Sequence, residues 1–578
     1  ADEARAGFLT ANNAALFALI ALELYADWPT KFWILPLAFG VILLGCALAA
    51  AGTLKDLVHT RAAFLIQGMV LVTLGVMTTQ LSDSLKGPIL AAQGVVMLWI
   101  AARRDQQLLL GGALVVASIS AIYGFYDIGM ASADCFPGGL SVAVFLLAAA
   151  VLCHRLVEAE GDTLLRPRIS YLSLLGGAVG IFAFCTWAHG KVGIEEWVPA
   201  VLVALTALFS SSIHVLKMRE FVILGQIPGM VGVILSLERI GGHAGFSWAL
   251  FSAFAVALAM AHWWRWGSER FVKCCAGAAE RGLLPVAEAF FSAAVTFQLL
   301  SWMYAKFGFG TEWLWLGVVL AAAFGAYGTV TRAPFIAGFG QVFLGLGCAV
   351  MVGQCAEGGG DNGLSALVPI AGLCASSFLH ARLLQRSNTL PEEVRVWFAQ
   401  VPLVYRVAAA GLGLLWIYTF VSGDYRTLTT MAAGAVLLSL CFKRAIAGLP
   451  QLALAYAAVA ALYIAVEFDG GRASWQSLVV VVALLGAQQA LRRRGSHLGL
   501  PEVVHDGLIL SGGVALFFWM SITVSDWVPP GEGDGLRSIT WAALAVIYFS
   551  LGLALRERRY RLMGLGTLGV ALLSLVPI

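Results

Sequence analysis

Charge is scarce in this sequence: Asp, Glu, Lys and Arg make up 12% of its 578 residues. A soluble protein of this length would expose far more charge, so a water-soluble globular fold is excluded. The net charge is +3 and no basic block is longer than Arg492-Arg493-Arg494, so nothing points to a nucleic-acid partner. A short basic run of that kind suits a membrane edge, where it anchors topology. Ten cysteines form no CxxC pair, and most lie inside apolar runs. They read as small buried hydrophobes, with Cys135 and Cys355 left as a candidate exterior disulfide. HExxH, Walker and GxSxG motifs are missing. Haem b would need facing mid-membrane histidines, and none is evident: His59, His154, His214, His262, His380, His497 and His505 fall on one side. No cofactor or metal site is therefore expected. The sequence opens Ala-Asp-Glu-Ala-Arg without methionine and stops inside an apolar run, so a piece of a longer polypeptide is expected.

What is abundant is apolar sequence, with 60% hydrophobic residues and a mean hydropathy of +0.86. A membrane span needs about 20 predominantly apolar residues. By that measure there are 21 candidate spans, from Phe8–Tyr25 and Trp33–Ala51 through Leu283–Tyr304 to Tyr560–Ile578. The first carries Asn12 and Asn13 and has no cleavage pattern after it, so it reads as a span and not a signal peptide. Connections alternate in charge. With the N-terminus on the basic side, that side holds 28 Lys and Arg against 16 Asp and Glu, and the other holds 8 against 17. An excess of this kind places the basic turns and the N-terminus in the cytoplasm.

A short turn recurs through the chain: an apolar helix ends on a basic residue and a glycine follows. Its arginines, Arg104, Arg219, Arg332, Arg444 and Arg558, are spaced by 115, 113, 112 and 114 residues. Trp187, Trp302, Trp416 and Trp519 mark outer span ends, and Pro167, Pro285, Pro391 and Pro501 precede inward-starting spans. The predicted fold is all-α and polytopic, with about five four-helix repeats of about 113 residues and no soluble domain. The predicted unit boundaries are 1–60, 61–166, 167–282, 283–388, 389–498 and 499–578. Equal units stack by one operation, so a linear or curved array of helical hairpins is expected. The arginines are topology anchors in this reading.

Ionisable groups at membrane depth are functional candidates by default. Glu288 lies in the first turn of one span and Arg406 a few residues into another. Amides recur after the Arg–Gly turns as Gln226, Gln341 and Gln451. Two explanations compete for these five. Interface anchoring and interhelical hydrogen bonding is one, and a polar lining repeated along a groove is the other. Asp127, Asp134, Glu195 and Glu196 are the best outer carboxylates for an enzyme acting on a lipid-linked sugar.

The stretch 8–25 (FLTANNAALFALIALELY), the segment 61–125 with its span ending LWIAARR, and the C-terminal RERRYRLMGLGTLGVALLSL carry a resemblance. Together they resemble the bacterial domain-of-unknown-function 2339 family of large membrane proteins. The resemblance covers the ends better than the middle. It implies a polytopic bacterial inner-membrane protein and brings no activity onto particular residues. Three functions compete. A membrane scaffold or subunit of a larger assembly comes first, surrounded by lipid, partnered by other membrane subunits and open to bound lipid. A transporter or lipid-handling protein comes second. A membrane-embedded glycosyltransferase-like enzyme comes third.

Overall fold

In the lipid interior every backbone N–H and C=O needs a partner within the protein, and a long apolar run meets that need by closing its own helix. The computed structural model follows this rule. It describes residues 2–49, 56–104, 107–130, 136–161, 165–191, 193–242, 247–267, 269–274, 282–358, 363–386, 392–443, 446, 448–495, 498, 500–528 and 533–574. Among them there is no strand. A helix underlies each predicted span; some reach past the apolar run into polar residues, as in Asp83–Arg104 where the run is 87–102, and others stop short of it, as in Val198–Ser211 where the run is 197–215. Among the described residues, seventeen helical segments are long and apolar enough to cross a membrane. The four others that underlie predicted spans are Trp248–His262, Leu367–Arg386, Trp475–Arg494 and Arg558–Leu573.

The chain divides into two compact units, 1–308 and 309–578. In each, the most extensive packing joins two helices connected on the basic side. In the first unit these hairpins are Ile34–Ala49 with Val58–Thr78, Asp83–Arg104 with Gln107–Met130, Phe136–Glu160 with Arg166–His189, Val198–Ser211 with Gln226–Gly242, and Trp248–His262 with Leu283–Phe307. In the second they are Trp313–Thr331 with Gln341–Ala356, Leu367–Arg386 with Glu392–Phe420, Gly423–Lys443 with Leu449–Asp469, Trp475–Arg494 with Glu502–Trp527, and Gly533–Ala554 with Arg558–Leu573. Partners joined on the acidic side touch far less.

Hairpins then pack in twos. Helix 83–104 lies on 136–160 while 107–130 lies on 166–189. The same square recurs as 198–211 on 248–262 with 226–242 on 283–307. In the second unit it recurs as 313–331 on 367–386 with 341–356 on 392–420, and as 423–443 on 475–494 with 449–469 on 502–527. These blocks begin at 83, 198, 313 and 423, at acidic-side turns. The sequence frame, which begins each unit at a proline-led helix, is displaced from them by one helix.

Close approach is made where a side chain is absent. A Cβ on Gly40 would lie 2.7 Å from the Gly68 carbonyl oxygen, and one on Gly68 would lie 2.9 Å from that of Gly40. Such crossings replace the hydrophobic drive that lipid cannot supply between helices. Between them, small and aliphatic residues such as Leu90, Val142, Leu146, Ile169 and Leu172 are fully buried. Leu22, Val115, Val319 and Leu462 face outward, as lipid-facing residues do.

The basic turns have a definite geometry. Lys217, Arg332 and Arg556 take positive φ, at 55°, 57° and 54°. At Arg332 and Arg556 the next residue's N–H reaches back to Gly328 and Gly552, at 2.9 and 2.8 Å, and so closes the helix end. Met218, Ala333 and Glu557 follow, and Arg219, Pro334 and Arg558 open the next helices. Arg219 and Arg558 are therefore structural counterparts of Pro334, whereas Arg332 matches Lys217 and Arg556. The even arginine spacing mixes two positions two residues apart.

Candidate polar sites among the packed helices

Gln226 and Gln341 occupy matching places. Each opens the longer part of a helix interrupted one residue earlier, at Gly225 and Gly340. Phenylalanines fill the space a Cβ would need: Phe209 at Gly225, 2.5 Å away, and Phe324 at Gly340. The Gln226 amide donates to Ser210 Oγ at 3.2 Å and to the Val222 carbonyl at 2.6 Å, and its oxygen accepts from Trp264 Nε1 at 3.3 Å. Trp264 belongs to a π-helical turn, Trp263–Gly267, and packs edge-on against the buried Phe271. Gln341 donates to the Ala321 and Ala337 carbonyls at 3.4 and 3.3 Å, while its oxygen is buried without a hydrogen bond.

Gln451 breaks the pattern. Pro450 stands before it in place of glycine, helix 449–469 starts cleanly at Leu449, and Gln451 is exposed. Gln451 therefore does not share the packed surroundings of Gln226 and Gln341.

Glu288 is buried on helix 283–307, on the face shared by Phe291, Ser292, Val295 and Thr296. Its backbone carbonyl accepts from Ser292 Oγ at 2.6 Å, and Arg265 of the π turn lies within Coulombic reach of its carboxyl. Arg406 Nε donates to Ser377 Oγ at 3.0 Å, and Ser377 donates to the carbonyl of Pro402 at 3.1 Å. His380 is buried beside them and sits edge-on to Tyr405. Ser377 and His380 come from the preceding helix of the same hairpin, Leu367–Arg386, and it is the packing of its two arms that brings them to Arg406.

Other buried polar pairs carried no signal of their own. Gln298 donates to Ser236 Oγ at 2.6 Å, and Gln93 donates to Thr73 Oγ1 at 2.9 Å. Glu467 accepts from Thr427 Oγ1 at 2.9 Å and from Ser474 Oγ at 3.4 Å. On the acidic side the indoles of Trp416 and Trp519 donate to the carbonyls of Gly363 and Ser474, at 2.7 and 2.8 Å. On the basic side Arg492 pairs with the buried Glu557, and Arg559 pairs with Glu502 and Asp506.

The five repeated arginines are not alike as anchors. Arg219 is largely buried and bonds Glu220 at 3.3 Å, and Arg558 is exposed. The side chain of Arg104 and all of Arg444 lie outside the described residues. Asp134 and Cys135 also lie outside them, and Cys355 is a free thiol. Of the other outer carboxylates, Asp127 is buried, Glu195 is bonded to His189 Nδ1 at 2.5 Å, and Glu196 is exposed.

Among the described residues, grooves open between neighbouring helices. One of about 50 Å³ is bordered by Ser173, Phe209, Phe221 and Pro228. One of about 360 Å³ is bordered by Met69, Met77, Met97, Leu109 and Gly112. One of about 510 Å³ is bordered by Ala461, Phe468, Asp469, Ser511 and Phe518. None of Gln226, Gln341, Gln451, Glu288 and Arg406 borders any of the three. Comparison with known proteins finds no family model, no curated protein and no solved structure that matches this chain.

Proposed function

We propose that this chain is a membrane scaffold, a subunit of a larger membrane assembly, and not itself a solute carrier. What supports this reading is the disposition of the five polar candidates. Gln226, Gln341 and Arg406 are occupied by hydrogen bonds between helices, Glu288 is packed inside, and Gln451 points outward, so none of the three grooves described above gains a polar lining from them. A translocation path needs polar groups converging on a cavity, and these converge on neighbouring helices. The four-helix squares are read as repeats of about 113 residues, all 21 runs as spans, and the basic side as cytoplasmic in a bacterial inner membrane. The resemblance to the domain-of-unknown-function 2339 family belongs to the same reading.

Solubilising native membranes in a mild detergent, followed by native electrophoresis and mass spectrometry, tests the proposal. A discrete complex well above the 61.3 kDa of this chain, with other integral membrane proteins in fixed ratio, is the expected result. A chain that runs alone and moves solute or lipid in proteoliposomes overturns it. The second reading, lipid handling, has one observation in its favour: the 510 Å³ groove opens beside Asp469 at the acidic-side end of helix 449–469.

A further inference from the structure

We propose that the outward seam of helix Asp2–Asp27 is a self-association surface, through which two copies of this chain pair within the membrane by hydrogen-bonding Asn12 to Asn12. The helix has two seams. Its inward one is used. Asn13 Nδ2 donates to Gln67 Oε1 at 2.9 Å, Phe17 meets Phe39 at 6.0 Å between ring centroids, and Ala6 is buried. Its outward seam follows the 4,3,4,3 spacing of Phe8, Asn12, Ala15, Leu19 and Leu22. Phe8, Leu19 and Leu22 are 71%, 65% and 73% exposed, and Asn12 and Ala15 are exposed as well. That spacing is the repeat of a left-handed helix pair.

Asn12 gives the seam its occupant. It lies ten residues from Asp2, about 15 Å along the axis at 1.5 Å per residue, within a hydrocarbon core about 30 Å thick. Among the described residues its amide makes no hydrogen bond. An amide facing hydrocarbon seeks a partner on another helix. It is donor and acceptor at once, so another Asn12 satisfies it. Two copies inserted the same way and related by a two-fold axis along the membrane normal bring equal depths together, so Asn12 meets Asn12. A single polar residue in such a seam also fixes the register, and Ala15 beside it allows close approach.

The partner here is a second copy, which goes beyond the assembly reading; this pairing can fail while other subunits still co-purify. The test uses the full chain in native membranes, with Ala15→Cys and, one residue off the seam, Ala14→Cys. Oxidation is expected to give a covalent homodimer for Ala15→Cys and little for Ala14→Cys. Adding Asn12→Leu to Ala15→Cys should lower the yield about 3- to 20-fold, the range of one interhelical polar contact in a membrane. Asn12→Gln should restore most of it. Because Asn12 faces away from the fold, these variants should keep the parent's elution profile. Subunit counting by single-molecule photobleaching of the unmutated chain supplies a check free of substitutions, with two steps expected. No self-adduct, an adduct only with a different protein, equal yields at Ala14 and Ala15, or a yield indifferent to Asn12→Leu overturns the proposal.

Discussion

At the scale of single residues, the amides separate by what they touch. An interhelical hydrogen bond in a membrane contributes about 0.6 kcal/mol on average, because the dissociated helices also find partners. Gln226 makes two such contacts, to Ser210 and Trp264, besides a local bond to the Val222 carbonyl of its own span. Gln226→Leu should therefore cost about 1–2 kcal/mol and leave the Trp264 N–H unpaired. Gln451 is exposed, and Gln451→Leu should change stability by no more than about 0.5 kcal/mol. Gln298 holds Ser236 with one bond but buries an oxygen that has none. Its replacement by Leu removes both terms, so Gln298→Leu should also be near neutral. Thermal unfolding of the purified variants in one detergent checks all three. Equal losses at Gln226 and Gln451 would mean that the two amides do the same work. The spacing of the glutamines was legible, and which of them faces inward was not. That depends on the residue before each: glycine at 225 and 340, where a phenylalanine occupies the Cβ position, and proline at 450, where the helix starts afresh.

At the scale of elements, the basic turn is the informative piece. Apolar runs located the helices because a run of this length in lipid has no other way to satisfy its backbone. The register of the turns was harder to see, since Arg or Lys occurs at both the left-handed position and the helix start. Left-handed backbone costs an L-residue about 1–2 kcal/mol, and glycine escapes that cost at the expense of a more flexible unfolded chain. Arg556 is exposed with φ 54°, one residue before the Glu557 N–H that closes onto Gly552. Arg556→Gly should keep stability or raise it by up to about 1 kcal/mol, while Arg556→Val should lower it by about 1–2 kcal/mol. Arg558, two residues on, opens a right-handed helix, so Arg558→Gly should lower stability by up to about 1 kcal/mol. If Gly at 556 and Gly at 558 act alike in thermal unfolding, the assigned turn register is wrong.

At the scale of the whole molecule, the sequence suggested repeating units, and the packing of the helices groups them from a different starting point. A repeating string can be cut into units anywhere, and only packing chooses the cut. Prolines suggested boundaries at 61, 167, 283 and 389, whereas the packed squares begin at 83, 198, 313 and 423. Charge alternation is a separate statement, since it counts crossings, and it can be tested where helices are short. Between Val215 and Phe309 lie the segments 219–242, 248–262 and 283–307, so the two positions fall on opposite faces only if Trp248–His262 crosses. Between Arg332 and Arg472 lie 334–356, 367–386, 392–420, 423–443 and 449–469, and opposite faces require Leu367–Arg386 to cross. Between Arg472 and Arg556 lie 475–494, 502–527 and 533–554, which puts the same question to Trp475–Arg494. Single cysteines at these positions, labelled with a membrane-impermeant maleimide in right-side-out and inverted vesicles and compared with the parent chain, give the answer. Val215→Cys, Arg332→Cys and Arg556→Cys should label only from the basic face, and Phe309→Cys and Arg472→Cys only from the other. A helix that does not span flips every later position, so the first position along the chain labelled from the wrong face identifies it, and with it the point where the alternation stops describing the fold.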